Sequence, residues 1–334
     1  MDLRDTQYLA VEPPGALGRR RTLTAAATAA LVMPLVAAFR PARAAQASTV
    51  HLGIQKGGSL IILRDRHALE PALKPAGVEV AWTEFPGGPQ LLEALNVGAI
   101  DFGTTGEAPP IFAQAAGAPL LYVGAQPPAP KSEAIIVPKG SPIQSVAQLK
   151  GKRIALNKGS NVHYLLVQAL ASAGLKPADV QPTYLAPADA RAAFEQGGVD
   201  AWVIWNPFLA AARAATGARV LVDATGLAPN REFLLASRKL VGARPDVVRA
   251  ILAELNKADR WAEVNQADAA GMLAPGMGLP VSVVETSLSQ KGYGVGPITP
   301  EVVRDQQRIA DTFHQLGLIP TTVNVASAVW SPSS

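Results

Sequence analysis

The chain has 334 residues, 49% of them apolar and 17% charged, a size that suits two domains and a composition that belongs to a folded, well-buried protein. It has no cysteine, which excludes disulfides, thiolate metal sites and a cysteine nucleophile. Six arginines against Asp2, Asp5 and Glu12 in the first 44 residues account for +3 of the formal +4, so the remainder carries +1 and no nucleic-acid surface is expected.

Arg19-Arg20-Arg21 precede an Ala/Leu/Val-rich run over 23–39, followed by Ala42-Arg43-Ala44 and Ala45-Gln46-Ala47, two small-x-small cleavage sites. Pro34 interrupts the run, which argues for a cleaved leader over 1–44 and against a membrane anchor. Both an ordinary secretory signal and a twin-arginine signal fit the arginines. No later stretch is apolar enough to span a bilayer.

Residues 50–54 alternate as a first strand and run into Gln55-Lys56-Gly57-Gly58-Ser59 before a helix beginning at Leu60. This turn is either a ligand loop, with Gln55 or Lys56 reaching inward, or an ordinary connection. A second strand over 78–85 leads to Gly87-Gly88-Pro89, and Pro89 suits a first helical turn because its missing N–H would be unpaired there. Leu91, Leu92 and Leu95 then form a helical stripe that Gly98 ends. Ile100 and Phe102 flank Asp101 in a short strand, which empties into Thr104-Thr105-Gly106-Glu107 and a helix opening at Ala108. A strand end, a small polar loop and a helix N-terminus together make an anion cradle.

A strand over 120–124 is followed by three prolines within 127–130, expected as the first crossover between lobes. Strands over 134–137 and 152–156 flank a short helix at 146–149. The second of these strands ends in Asn157-Lys158-Gly159-Ser160-Asn161. Val162, Leu165, Leu166, Ala169, Leu170 and Ala173 behind it keep the helical period. Ser160 or Asn161 is a natural N-cap, and Gly159 lets a ligand approach the backbone, so a binding loop is favoured here. His163 is a candidate contact, with a packed or surface residue as the alternative. After a strand over 180–185 the earlier phrase returns: Gly197 matches Gly98, Val199 matches Ile100 and Asp200 matches Asp101. The strand over 202–205 carries Trp202, expected in the core, and Trp205, expected as an apolar wall with an N–H donor beside Asn206. Strands over 219–222 and 233–236 enclose a loop, with the second crossover expected at 232–237. The helices beyond, with apolar positions at 248–255, 283–288 and 302–316, read as packing.

Two such units, a hundred residues apart, predict two similar α/β lobes with a ligand cleft between the strand C-termini. Gly-x-Ser-x-Gly, His-Glu-x-x-His and a phosphate P-loop are all absent, and the four histidines lie far apart. The expectation is therefore a non-enzyme without metal or cofactor, in which Asp101 and Asp200 are structural joints. The expected ligand contacts are Gln55, Gly57, Gly88, Thr105, Gly106, Glu107, Gly159, Ser160, Asn161, His163, Trp205 and Asn206. Glu107 either binds a ligand amine or caps its helix.

EFPGGPQLLEALNVGAIDFGTTGEAPPIFAQAAG, PPAP, LKGKRIALNKGSNVHYLLVQAL, ADARAAFEQGGVDAWVIWNPFLAAA and ITPEVVRDQQRIADTF together resemble the periplasmic aliphatic sulfonate-binding proteins of bacterial ABC importers, over essentially all of 48–330. The resemblance implies a type II periplasmic binding protein fold, two α/β lobes each with a mixed sheet flanked by helices, joined by a two-strand hinge. Lobe 1 is then 45–130 plus 236–334, and lobe 2 is 131–235. It further implies a periplasmic monomer that captures an alkanesulfonate for a membrane permease, with taurine, nitrate or a thiamine pyrimidine precursor as alternative ligands. Asn206 stands where an aspartate is common in that family, and Gly57-Gly58-Ser59 is a looser version of its first loop. A sulfonate is a permanent monoanion, so its receptor needs donors and no proton acceptor.

Overall fold

Two five-stranded sheets organise the protein, whose computed structural model describes residues 48–331; the expected leader at 1–44 lies outside them. Strands β1 (Ser48–Ile54), β2 (Val78–Glu84), β3 (Phe102–Gly106) and β4 (Leu120–Ala125) form the first sheet. Strands β5 (Glu133–Val137), β6 (Arg153–Leu156), β7 (Gln181–Tyr184), β8 (Ala201–Trp205) and β9 (Arg219–Asp223) form the second, and β10 (Glu232–Ser237) returns to the first. The orders are β2-β1-β3-β10-β4 and β7-β6-β8-β5-β9. In each, three parallel strands are followed by one antiparallel strand, β10 or β5, and that strand is the first after a passage between sheets. The first passage is 126–132, around the expected prolines. The second is 224–231, ahead of the 232–237 stretch, which is a strand inside the first sheet.

Helices α1 (Leu60–Asp65), α2 (Leu69–Leu73), α3 (Gly88–Asn96) and α4 (Ala108–Ala115) alternate with the first strands, and α5 (Asn161–Ser172), α6 (Pro187–Glu195) and α7 (Phe208–Thr216) with the second set. After β10 come α8 (Arg238–Ala243), α9 (Pro245–Val264), α10 (Gln266–Met277), α11 (Val281–Leu288) and α12 (Pro300–Gln315). One core packs Leu52, Ile54 and Phe102 of the first sheet against Leu63, Leu255 and Leu273 from α1, α9 and α10. A second packs Ile136 and Trp202 against Phe194 and Leu209 from α6 and α7.

A third core belongs to both lobes. Helix α12 starts cleanly, with Thr299 Oγ1 accepting the Val302 N–H at 3.3 Å and Pro300 in the first turn. Its apolar face then carries Phe313 between Phe112 of α4, 5.0 Å away between ring centres, and Tyr164 of α5, 5.8 Å away. Ile111, Ile135 and Leu165 complete that cluster. The C-terminal helix thus lies along the joint and touches both lobes.

The repeated aspartates do the same job twice. Asp101 Oδ2 accepts the His51 N–H at 3.0 Å, and Asp200 Oδ2 accepts the Arg153 N–H at 2.8 Å. Each carboxylate ties the entry of one parallel strand to its neighbour, the structural joint expected from the sequence. The strand after Asp101 differs from expectation. It begins at Phe102 and continues through Thr104 and Thr105, because Leu234 and Phe233 of β10 pair with those two residues.

Candidate functional site

The strand C-termini of both sheets and the two passages surround one cavity of about 980 Å³, counting its open mouth. Gly88 at the start of α3 and Ser160 at the start of α5 both border it, one from each lobe. Neither helix start is capped by a side chain. Ser160 Oγ instead donates to the Asn157 carbonyl at 2.7 Å, bracing its own loop. Two helix N-termini, each with the positive end of its dipole, therefore border the same space.

The lobes meet over this space. Gly57 of the β1–α1 turn lies so close to the Asn206 carbonyl oxygen of the other lobe that a Cβ would collide with it. Asn206 Oδ1 accepts the Ala210 N–H at 3.1 Å and caps α7, while its Nδ2 donates to Gln290 Oε1 at 2.7 Å. Ser132 Oγ donates to the Gln290 carbonyl at 2.5 Å. Nearer the joint, Asn161 Oδ1 accepts the Ala108 N–H at 3.4 Å and Asn161 Nδ2 donates to Asn230 Oδ1 at 2.7 Å. The Asn161 amide fills the space a side chain at Gly106 would need. The lobes are closed.

A buried polar network forms one side of the cavity. Glu232 Oε1 accepts the Ser59 N–H at 3.1 Å, and Glu232 Oε2 pairs with Lys291 Nζ at 3.0 Å. Lys291 Nζ also donates to Gln126 Oε1 at 3.3 Å, and Gln126 Nε2 donates to Ser59 Oγ at 2.6 Å and to Asp259. Burial pushes the Asp259 carboxyl up to about 6, against the pull of Lys291 and the Gly294 N–H. Gln126, Glu232 and Lys291 border the cavity, yet nothing in the sequence reading pointed to them. One signal was available: Asp259 falls four residues after Leu255 and eight after Ile251, a carboxylate set on the apolar stripe of α9.

Nine of the twelve expected residues line the cavity: Gln55, Gly57, Gly88, Thr105, Gly106, Ser160, Asn161, Trp205 and Asn206. Glu107, Gly159 and His163 do not. The Gly159 N–H donates to His163 Nδ1 at 3.3 Å, so this amide braces the loop instead of facing a ligand. His163 packs near the rings of Tyr184 and Phe313, and burial, with the Lys158 charge, lowers its pKa to about 4. It is a neutral packing residue. Glu107 neither caps α4 nor faces the cavity. It is 1% exposed, its Oε2 accepts the Arg231 N–H at 3.1 Å, and burial raises its pKa to about 7. Glu133, at the start of β5, is fully buried with neither oxygen partnered, and burial followed by the charge of Glu107 pushes it well above the carboxylate range. The two acids mark the joint, one at the end of β3 and one at the start of β5. The helices expected to be packing do pack: Leu273, Met277, Val284 and Leu288 of α10 and α11 are buried in the first core, next to the cavity. Among the described residues no group of three or more His, Asp or Glu side chains is placed to hold a metal ion.

Paired mixed sheets, closed over a cavity at their strand ends, define a two-lobed solute-binding protein. Residues 73–269 match the NMT1/THI5 like family. An aliphatic sulfonates-binding protein of Escherichia coli K12 is 44% identical over 299 residues, 89% of this chain and 93% of that one. One of Bacillus subtilis 168 is 35% identical, over 85% of this chain and 86% of that one. The solved alkanesulfonate-binding protein of Xanthomonas axonopodis pv. citri, bound to MOPS, superposes with a TM-score of 0.81 at 46% identity, over 86% of this chain and 99% of that one. The chain belongs to the NMT1/THI5-like family, on its branch of periplasmic aliphatic sulfonate-binding proteins.

Proposed function

We propose that the protein captures an aliphatic sulfonate in the periplasm and delivers it to the permease of an ABC importer. The observation that carries this reading is the pair of helix starts, Gly88 in one lobe and Ser160 in the other, bordering one cavity. Backbone N–H groups there suit a permanent monoanion, and each helix dipole adds roughly 0.3–1 kcal/mol, more where water is excluded. Gln55, Thr105 and Asn161 complete the polar surround of the sulfonate head, and Trp205 offers an apolar face. Gln55 is held in place by its Nε2 bond to the Thr104 carbonyl at 2.8 Å. Passages 126–132 and 224–231 act as the hinge, and the chain works as a monomer without catalysis or cofactor after loss of residues 1–44. The similarity of close relatives that carry the sulfonate-binding name supports the ligand class.

A thermal-shift panel on residues 45–334 tests the reading, with sulfonates from methane- to octanesulfonate beside taurine, sulfate, nitrate and pyrimidines. Stabilisation by sulfonates above the other anions is expected. Stabilisation by nitrate or a pyrimidine alone would overturn it.

A further inference from the structure

The lobes also touch outside the cavity. Helix α7 of the second lobe has two apolar faces. Leu209 and Ala212 belong to the core of their own lobe, while Ala210 and Ala211 are buried against Val283 of α11. Helix α11 divides in the same way. Val284 and Leu288 enter the core of the first lobe, and Val283 belongs to the contact with α7 alone. Ala210, Ala211 and Val283 are each only 5% or 6% exposed, and the cluster they form lies between the lobes.

The end of α11 adds polar contacts to this seam. Gln290 Oε1 accepts from Asn206 Nδ2 at 2.7 Å, and the Gln290 carbonyl accepts from Ser132 Oγ at 2.5 Å. Those two partners are tied to each other, because the Asn206 N–H donates to the Ser132 carbonyl at 2.8 Å. Asn206 also caps α7 through the Ala210 N–H. On its other side the loop is anchored in the first lobe. The Tyr293 hydroxyl donates to the Leu288 carbonyl at 2.9 Å, and the Gly294 N–H to Asp259 Oδ2 at 3.2 Å. Gln290 is therefore held between two fixed bodies, and its bonds to Asn206 and Ser132 break when the lobes part. Ala211, Val283 and Gln290 do not line the cavity, so they act on a ligand only through the closure they hold.

We infer that the α7–α11 seam is a latch, in which Val283 and Gln290 are positioning residues that keep the cavity shut and set how slowly any ligand leaves it. A ligand enters before these contacts form and leaves only after they break, so the latch acts on dissociation and not on association. The inference goes beyond the sulfonate reading and takes from it only the probe.

Stopped-flow binding of methanesulfonate and propanesulfonate to the mature chain, followed by tryptophan fluorescence, tests it in Gln290→Met and Ala211→Trp beside the wild type. Gln290→Met removes one side-chain hydrogen bond and should raise the dissociation rate about two- to tenfold, with association within about twofold. Ala211→Trp places an indole where α11 packs. It should raise dissociation more than Gln290→Met does, and in solution scattering it should keep the radius of gyration at its unliganded value when ligand saturates. Within each variant both sulfonates should change by the same factor, and the unliganded protein should keep its melting temperature. A change confined to one sulfonate would make these residues ligand contacts and overturn the inference. Unchanged dissociation in both variants would overturn it as well. So would a fall in unliganded stability equal to the loss of affinity, which would place the contacts in the fold of the open protein. Failure of both sulfonates to bind the wild type would overturn the sulfonate reading and leave the latch no ligand to retain, so the inference would fall with it.

Discussion

Replacing Glu107 by glutamine should reverse part of the pH dependence of stability. Glu107 is 1% exposed, one of its oxygens accepts the Arg231 N–H and the other has no partner. Burial raises its pKa from 4.5 to about 7. Because the folded value lies above the unfolded one, the favourable contribution is complete below pH 4.5, declines as the pH rises, and is gone above about pH 7. A difference of 2.5 pH units corresponds to about 3 kcal/mol at 1.36 kcal/mol per unit, with little solvent screening at this depth. Glutamine keeps an acceptor for Arg231 and cannot ionise. It introduces buried amide donors, which cost roughly 1–3 kcal/mol where unmatched, so Glu107→Gln should be the less stable protein at pH 5. Between pH 5 and pH 8 its stability relative to wild type should swing in its favour by about 2.5 kcal/mol, the part of that difference that falls inside this window. Relief of the charge on Glu133 acts in the same direction. Urea unfolding of both proteins at the two pH values measures this directly. Parallel pH profiles would show that Glu107 titrates alike folded and unfolded, and the account of the joint as a buried acid pair would be wrong.

Gly106→Ala should displace the Asn161 amide from its bonds to Ala108 and Asn230 and lower sulfonate affinity at least tenfold with the circular dichroism spectrum unchanged; undiminished affinity would mean that closure does not depend on Asn161. Solution scattering should show a smaller radius of gyration with a saturating sulfonate than without, since the contacts of Asn206 and Ser132 with Gln290 can form only when the lobes meet. An equal radius in both states would refute hinge closure about 126–132 and 224–231. Protein recovered from the periplasm should begin near Ala45 or Ser48, and an intact segment 23–39 on that material would contradict export with cleavage.

What the sequence made legible was local and repeated. The Gly-x-apolar-Asp phrase at 98–101 and 197–200 announced two like lobes because each aspartate acts on the strand beside it, as the bonds to His51 and Arg153 show. Cavity residues at strand ends were equally accessible, since parallel strands bring their C-termini to one side whatever the loops contain. Side-chain direction was not. Glu107 sits in the expected loop but turns inward to Arg231, and His163 turns back on Gly159, because packing against β10 and α12 decides both. Lys291, Gln126 and Asp259 were invisible for a different reason. Gln126 stands 67 residues from Ser59, 133 from Asp259 and 165 from Lys291, and the chain brings them together only after β10 has entered the first sheet. Helices α10 and α11 have ordinary apolar patterns and pack against α1 as those patterns imply.

The most direct test of the central claim is a calorimetric titration of hexanesulfonate into residues 45–334, with sulfate added in competition. The account predicts saturable one-to-one binding that equimolar sulfate does not displace, because the two helix starts suit a monoanion and sulfate is a dianion. No binding by hexanesulfonate, together with saturable binding of nitrate, taurine or a pyrimidine, would contradict it.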